Sequence, residues 1–108
     1  MAQYKVIGTW SAPVKGSVAD FEKHYLQVHV PLAAAVPLLR GIVTTRTADG
    51  FGGGEPAFYR IAEMIFDSPE DAARSSESGE WHAMHADAAS LIAEFGVSMQ
   101  AASGWVDE

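Results

Sequence analysis

The chain contains no cysteine, so disulfides, thiolate metal sites, iron–sulfur clusters and cysteine nucleophiles play no part in it. Positive charge is scarce, with seven Lys and Arg against fourteen Asp and Glu and a formal net charge of −7. The basic residues (Lys5, Lys15, Lys23, Arg40, Arg46, Arg60 and Arg74) are scattered, so no patch forms to neutralise a row of phosphates. Neither nucleic acid nor an anionic membrane is expected as a partner. No window approaches the ~18 apolar residues of a membrane span. The opening residues MAQYKVIGTW lack the basic stretch and apolar run of a signal peptide. A soluble cytoplasmic protein is the expectation.

What is present is enough for one folded unit. A chain of 108 residues reads as a single domain over residues 1–108. Hydrophobic residues make up 48% and aromatics 10%, well outside the disordered range. A core of this size is modest, and association with a second copy would enlarge it.

Tyr4 to Trp10 reads as a first strand, rich in β-formers. Ser17, with Asp20 three residues on, is a variant capping box that opens a helix. Phe21, Tyr25, Val28 and Leu32 then share one stripe and form its predicted core face. Pro31 lacks an N–H, crowds the carbonyl of Gln27 and biases Val30 away from α geometry, so a kink or fraying is expected there. Gly41 to Thr47 reads as a second strand. The glycines of loop 50–54 are too permissive to hold one conformation unaided. Ala57 to Phe66 reads as a third strand, and Ser68-Pro69-Glu70-Asp71 as a strong helix start. That short helix is followed by a longer one from about Trp81 to Phe95, ended by Gly96, and by a last strand over Val97 to about Ala102. The order, βαβ twice over, predicts a ferredoxin-like α+β sandwich of βαββαβ type: an antiparallel four-stranded sheet with helices on one face.

The third strand is apolar on both sides, with Phe58, Ala62, Met64 and Phe66 on one and Tyr59, Ile61 and Ile65 on the other. A sheet with one wet face would alternate. Helices cover one side only, so a second subunit is the simplest cover for the other.

Four histidines could carry chemistry. His24 and His29 are five apart, so on a regular α-helix they diverge by about 140° and cannot share one metal. His29 follows Tyr25 by one turn and could share a pocket with it. An unperturbed pKa near 6.5 suits His29 to proton transfer; the plainer alternative is a helix-edge histidine bonded to backbone or water. His82 and His85 form a His-x-x-His pair without the third ligand a metal site needs, so no metal is expected. His85 lies beside the apolar stripe, whereas His82 is expected in solvent. Glu63 interrupts an apolar strand and must pair, face a cavity or raise its pKa; pairing with Arg46 competes with a ligand role. Tyr59 is open between the same roles. GFGGG is followed by a strand and not a helix, so it is not a dinucleotide loop.

The stretches DFEKHYLQVHVPLAAAVP and PAFYRIAEMIFDS resemble the EthD-like family, the ethyl tert-butyl ether degradation proteins of the dimeric α+β barrel superfamily. The resemblance spans roughly Tyr4 to Phe95 and rests on Phe21, Tyr25, His29, Pro31 and Leu32, supported by Tyr59, Glu63, Phe66 and Ser68. It implies a homodimer whose two sheets face one another and a pocket between helices and sheet in each subunit. The family's helix histidine falls on His29. Relatives in the superfamily act as cofactor-free monooxygenases, isomerases, cyclases, decarboxylases and dehydratases. Two positions depart from the family pattern: Leu38 stands where a glycine is usual, and the glycines of 50–54 are particular to this chain.

Two classes of function follow as expectations. In the first, a homodimer binds an apolar or aromatic small molecule and works on it without a cofactor. His29 then shuttles a proton, and Tyr25, Tyr59, Glu63 and His85 bind the ligand. In the second, the protein is a non-catalytic accessory or carrier for a degradative oxygenase system. Nothing marks His24 or His29 as an axial haem ligand.

Overall fold

The computed structural model describes residues 2–107. Four strands, β1 (Tyr4–Trp10), β2 (Gly41–Arg46), β3 (Arg60–Phe66) and β4 (Met99–Trp105), form one sheet in the order β2-β3-β1-β4. Every neighbouring pair is antiparallel. With the helices between them, this is the ferredoxin-like α+β sandwich.

The first strand has its expected bounds, and the others shift. β3 begins at Arg60 because residues 57–59 are held by isolated bonds, Thr47 N–H to Tyr59 O and Tyr59 N–H to Trp10 O, and not by a ladder. β4 begins at Met99 because Val97, just past the helix-ending turn, is buried in the core instead of pairing.

Helix starts follow their caps. The Ser17 hydroxyl accepts from Asp20 N–H and opens α1 (Val18–His24). Ser68 accepts from Asp71 N–H at the head of α3 (Pro69–Ser76). Ser78 accepts from Trp81 N–H, so α4 (Gly79–Phe95) starts two residues before the expected Trp81. Gly96 closes α4 at φ 66°, and a Cβ there would come within 2.6 Å of Val14 Cγ2, so only glycine fits.

The stretch around Pro31 neither frays nor breaks. Tyr25–His29 forms a single π turn, in which Val30 N–H donates to Tyr25 O, and α2 (Val30–Ala34) continues directly from it. Val30 keeps α geometry at φ −61° and ψ −44°, against expectation. Pro31 follows the wide turn directly, as the second residue of α2.

That turn also rewrites the core stripe. In an α-helix each step of four residues drifts by about 40°; a turn holding an extra residue cancels the drift. Phe21, Tyr25, His29 and Ala33 are therefore the buried residues, while the expected Val28 is 40% exposed.

Two buried clusters result. One joins Trp10, Phe21, Tyr25, Leu91 and Phe95, and the other Ala33, Val36, Met64, Phe66 and Ala72. Fully burying each large side chain contributes roughly 1.5–3 kcal/mol.

Strand register sorts the two faces of the sheet. Arg60, Ala62, Met64 and Phe66 face the helices, whereas Ile61, Glu63 and Ile65 lie opposite, alongside Ile7 and Val43. Phe58 is not part of the strand and is 40% exposed. On the far face Val43 remains 47% exposed, and Ile61 and Ile65 are half-buried. Among the described residues, no helix is long and apolar enough to cross a membrane.

Candidate functional site

Between the two clusters, under α2 and α4 and above the sheet, lies a cavity of about 210 Å³. Its wall is apolar and aromatic, including Trp10, Ile42, Met64, Trp81, Met84 and Met99. The polar side chains in it are Tyr25, His29, Thr44 and His85. An open depression of about 380 Å³ beside Tyr4, Ala72, Trp81 and Ser103 gathers no histidine or carboxylate.

His29 is buried, and its ring is stacked on Tyr25 and set edge-on to Trp10, with centroids 5.7 Å and 5.3 Å away. Its Nδ1 lies 3.0 Å from Asp87 Oδ2. A carboxylate only accepts, so Nδ1 carries the proton and Nε2 is left with a lone pair. Among the described residues Nε2 has no hydrogen-bond partner. Burial pushes the His29 imidazole below the ordinary histidine range, outweighing the hydrogen bond and charge of Asp87. The ring is therefore neutral at neutral pH.

The π turn brings a second histidine to the same carboxylate. His24 Nε2 donates to Asp87 Oδ1 at 2.8 Å. The divergence expected of residues five apart does not hold, because the wider π turn, closed by an i→i+5 bond, rotates less per residue and brings both side chains to the Asp87 side of the helix.

Tyr25 is fully buried, and its hydroxyl has no hydrogen-bond partner. Burial raises its phenol pKa, with the Arg60 charge opposing. The Arg60 guanidinium lies over the Tyr25 ring, 4.8 Å from its centroid. Arg60 is itself paired with Glu22, which also accepts from Tyr59 Oη at 2.9 Å. Burial acts to raise the Glu22 pKa, but the bonds from Arg60 and Tyr59 overcome it and hold the carboxyl below its usual range.

Of the residues singled out in the sequence, His29, Tyr25 and His85 meet at the cavity. Tyr59 and Glu63 are not in its wall. Tyr59 spends its hydroxyl on Glu22 and packs its ring against Phe21. Glu63 lies on the far face of the sheet and pairs with Lys5 at 3.1 Å, not with Arg46, which turns to Glu22. His82 is exposed, as expected. Asp87 and Trp10 were not foreseen. The usable signal for Asp87 was indirect: two histidines at the i,i+5 spacing of a π turn, just before a proline that such a turn accommodates.

A four-stranded antiparallel sheet with helices on one face, a cavity beneath them and a half-exposed apolar face behind is the ferredoxin-like α+β fold. Within it, the EthD domain model matches residues 16–94, and the chain belongs to that family. An uncharacterised 11.0 kDa protein from the thcB-thcC intergenic region of Rhodococcus erythropolis is 30% identical over 96 residues, covering 89% of each chain. The crystal structure of an ethyl tert-butyl ether d (EthD) family protein from Bacillus halodurans superposes with a TM-score of 0.72 at 24% identity, covering 94% of this chain and 97% of that one. A hydroxynitrile lyase from Passiflora edulis shares the fold with a TM-score of 0.75 at 12% identity, covering 98% of this chain and 94% of that one.

Proposed function

We propose that the cavity binds a small, uncharged, largely apolar molecule bearing one oxygen, and that His29 exchanges a proton with it without a cofactor. The observation that carries this reading is an unused polar atom in an apolar wall, His29 Nε2. Polar atoms inside a protein are normally bonded, so a molecule that bonds to Nε2 gains a contact that no side chain supplies. No Lys, Arg, Asp or Glu lies in the wall, which disfavours a charged ligand.

In the proposed step a C–H or O–H proton of the ligand moves to Nε2. The imidazolium that forms is stabilised by Asp87, which stays ionised. The Tyr25 ring, stacked on His29, is proposed to pack against the apolar part of the ligand. The proton then returns from Nε2 to the product, so atoms and charge balance. His85, exposed yet lining the cavity, is proposed as a contact at its mouth. A hydroxynitrile lyase of the same fold agrees with an enzyme in this class of scaffold. We also propose that two copies associate through the apolar far face of the sheet.

The test uses cyclohexanone in D2O as a generic probe. The protein should accelerate deuterium exchange at the carbons beside the carbonyl, and His29→Ala should abolish that acceleration while folding within about 1 kcal/mol of the parent. Benzoate should not bind. Equal exchange rates in parent and His29→Ala, or collapse of the variant's stability, would refute the assignment.

A further inference from the structure

One carboxylate oxygen would suffice to orient His29, yet Asp87 is bonded through both. Its side chain is 12% exposed and places Oδ2 on His29 and Oδ1 on His24. A carboxylate torsion is broad and twofold, so a single bond to His29 would leave Asp87 free to turn its oxygens. A second donor from the same helix removes that freedom, and the π turn supplies it by bringing together two residues that an α-helix would separate. His24 has no place in the cavity wall. It is partly open to a surface depression lined by Asp20, Lys23, Gln27 and Glu94.

We propose that His24 is a positioning residue for the pocket base: it clamps Asp87 so that Oδ2 meets His29 Nδ1, keeping the His29 proton on Nδ1 and the lone pair of Nε2 toward the cavity. This rests on the reading of His29 as the base, but the clamp is a property of the free protein and can be tested without a ligand.

The experiment is imidazole 15N NMR on the full chain, comparing the parent with His24→Gln and His24→Phe. In the parent, His29 should be held in the Nδ1–H tautomer. In His24→Phe the preference for that tautomer should fall at least roughly tenfold, the ratio that one hydrogen bond to a charged group maintains. His24→Gln, whose amide N–H can still donate to Oδ1, should restore it. A merely structural role for His24 would change stability but not the tautomer ratio. If His24→Phe leaves the tautomer unchanged, the clamp is overturned. Should phenylalanine prevent folding, His24→Ser removes the donor without added bulk and is read in the same way. The two ideas fail separately. Unchanged ketone exchange in His29→Ala removes the catalytic role and leaves the clamp standing, whereas an indifferent tautomer removes the clamp alone.

Discussion

The rings of Tyr25 and His29 lie stacked 5.7 Å apart and 23° from parallel, one turn apart on a helix that carries both into the cavity wall. Neither the hydroxyl of the first nor Nε2 of the second finds a partner among the described residues. Tyr25→Phe therefore removes a hydroxyl that contributes no bond to the folded state. It should leave stability unchanged or raise it by about 1 kcal/mol, the scale of an unsatisfied buried hydroxyl. Any acceleration of ketone exchange should be unchanged, because the hydroxyl is closed off from the cavity. Urea unfolding midpoints and exchange rates measured on the same samples check both halves, and a clear loss of stability would mean that the hydroxyl is bonded after all.

Stability should depend on His29 across a defined pH window. Burial depresses its folded-state pKa below the ordinary value of 6.5, so the unfolded chain binds the proton first as pH falls. Stability should thus be fully present above about 6.5 and decline from there down through the lowered folded value. The charged and titratable groups that face His29 are Asp87 on α4 and, through Asp87, His24 on its own helix. The slope should flatten in His29→Gln; an identical slope would place the proton uptake elsewhere. The depressed Glu22 carboxyl acts in a separate, more acidic window below its ordinary 4.5, where stability is lost as pH falls through its folded value.

Glu22 and Arg60 form a pair that should be costly to break by halves. The Arg60 side chain is 7% exposed and that of Glu22 14%. Glu22→Leu leaves a buried guanidinium without its carboxylate and should destabilise by about 3–5 kcal/mol. Glu22→Leu with Arg60→Met should recover most of the loss, since removing both charges removes the uncompensated one. Thermal melts of the two variants compare them directly.

Leu38 stands at φ 67°, the left-handed region that glycine adopts without strain. Leu38→Gly should stabilise by about 1 kcal/mol, the lower end of the cost of this conformation for a residue with a Cβ. A melting temperature that stays the same or falls would show that contacts of the 41% exposed side chain offset the strain.

Two subunits joined through their sheets would bury Ile61 and Ile65 together. Ile61→Asp or Ile65→Lys should shift the protein toward monomer or aggregate by light scattering at micromolar concentration. A parent that is already monomeric there would end the dimer proposal.

Local chemistry made much of this fold legible from sequence. Ser17 and Ser68 mark helix starts because a hydroxyl satisfies an N–H that the helix cannot. Gly96 marks an end because glycine takes the left-handed turn without strain. Tyr4–Trp10 reads as a strand from its own residues, and the two apolar sides of β3 follow from alternation alone. The candidate site was legible in part: the pairing of Tyr25 with His29 follows from helical spacing, and His85 from its place beside the apolar stripe of α4. What only the tertiary structure decided is the partner of each. Pro31 announces an irregular helix, but whether the chain breaks or widens depends on what packs against it. Here the wide turn buries His29, exposes Val28 and brings His24 to the same carboxylate. Asp87 comes from a helix 58 residues away from His29 in the chain, and no local spacing encodes a contact of that range. Glu63 pairs with Lys5 and not Arg46 for the same reason: strand register, set by the whole sheet, puts Lys5 on its face and Arg46 on the other.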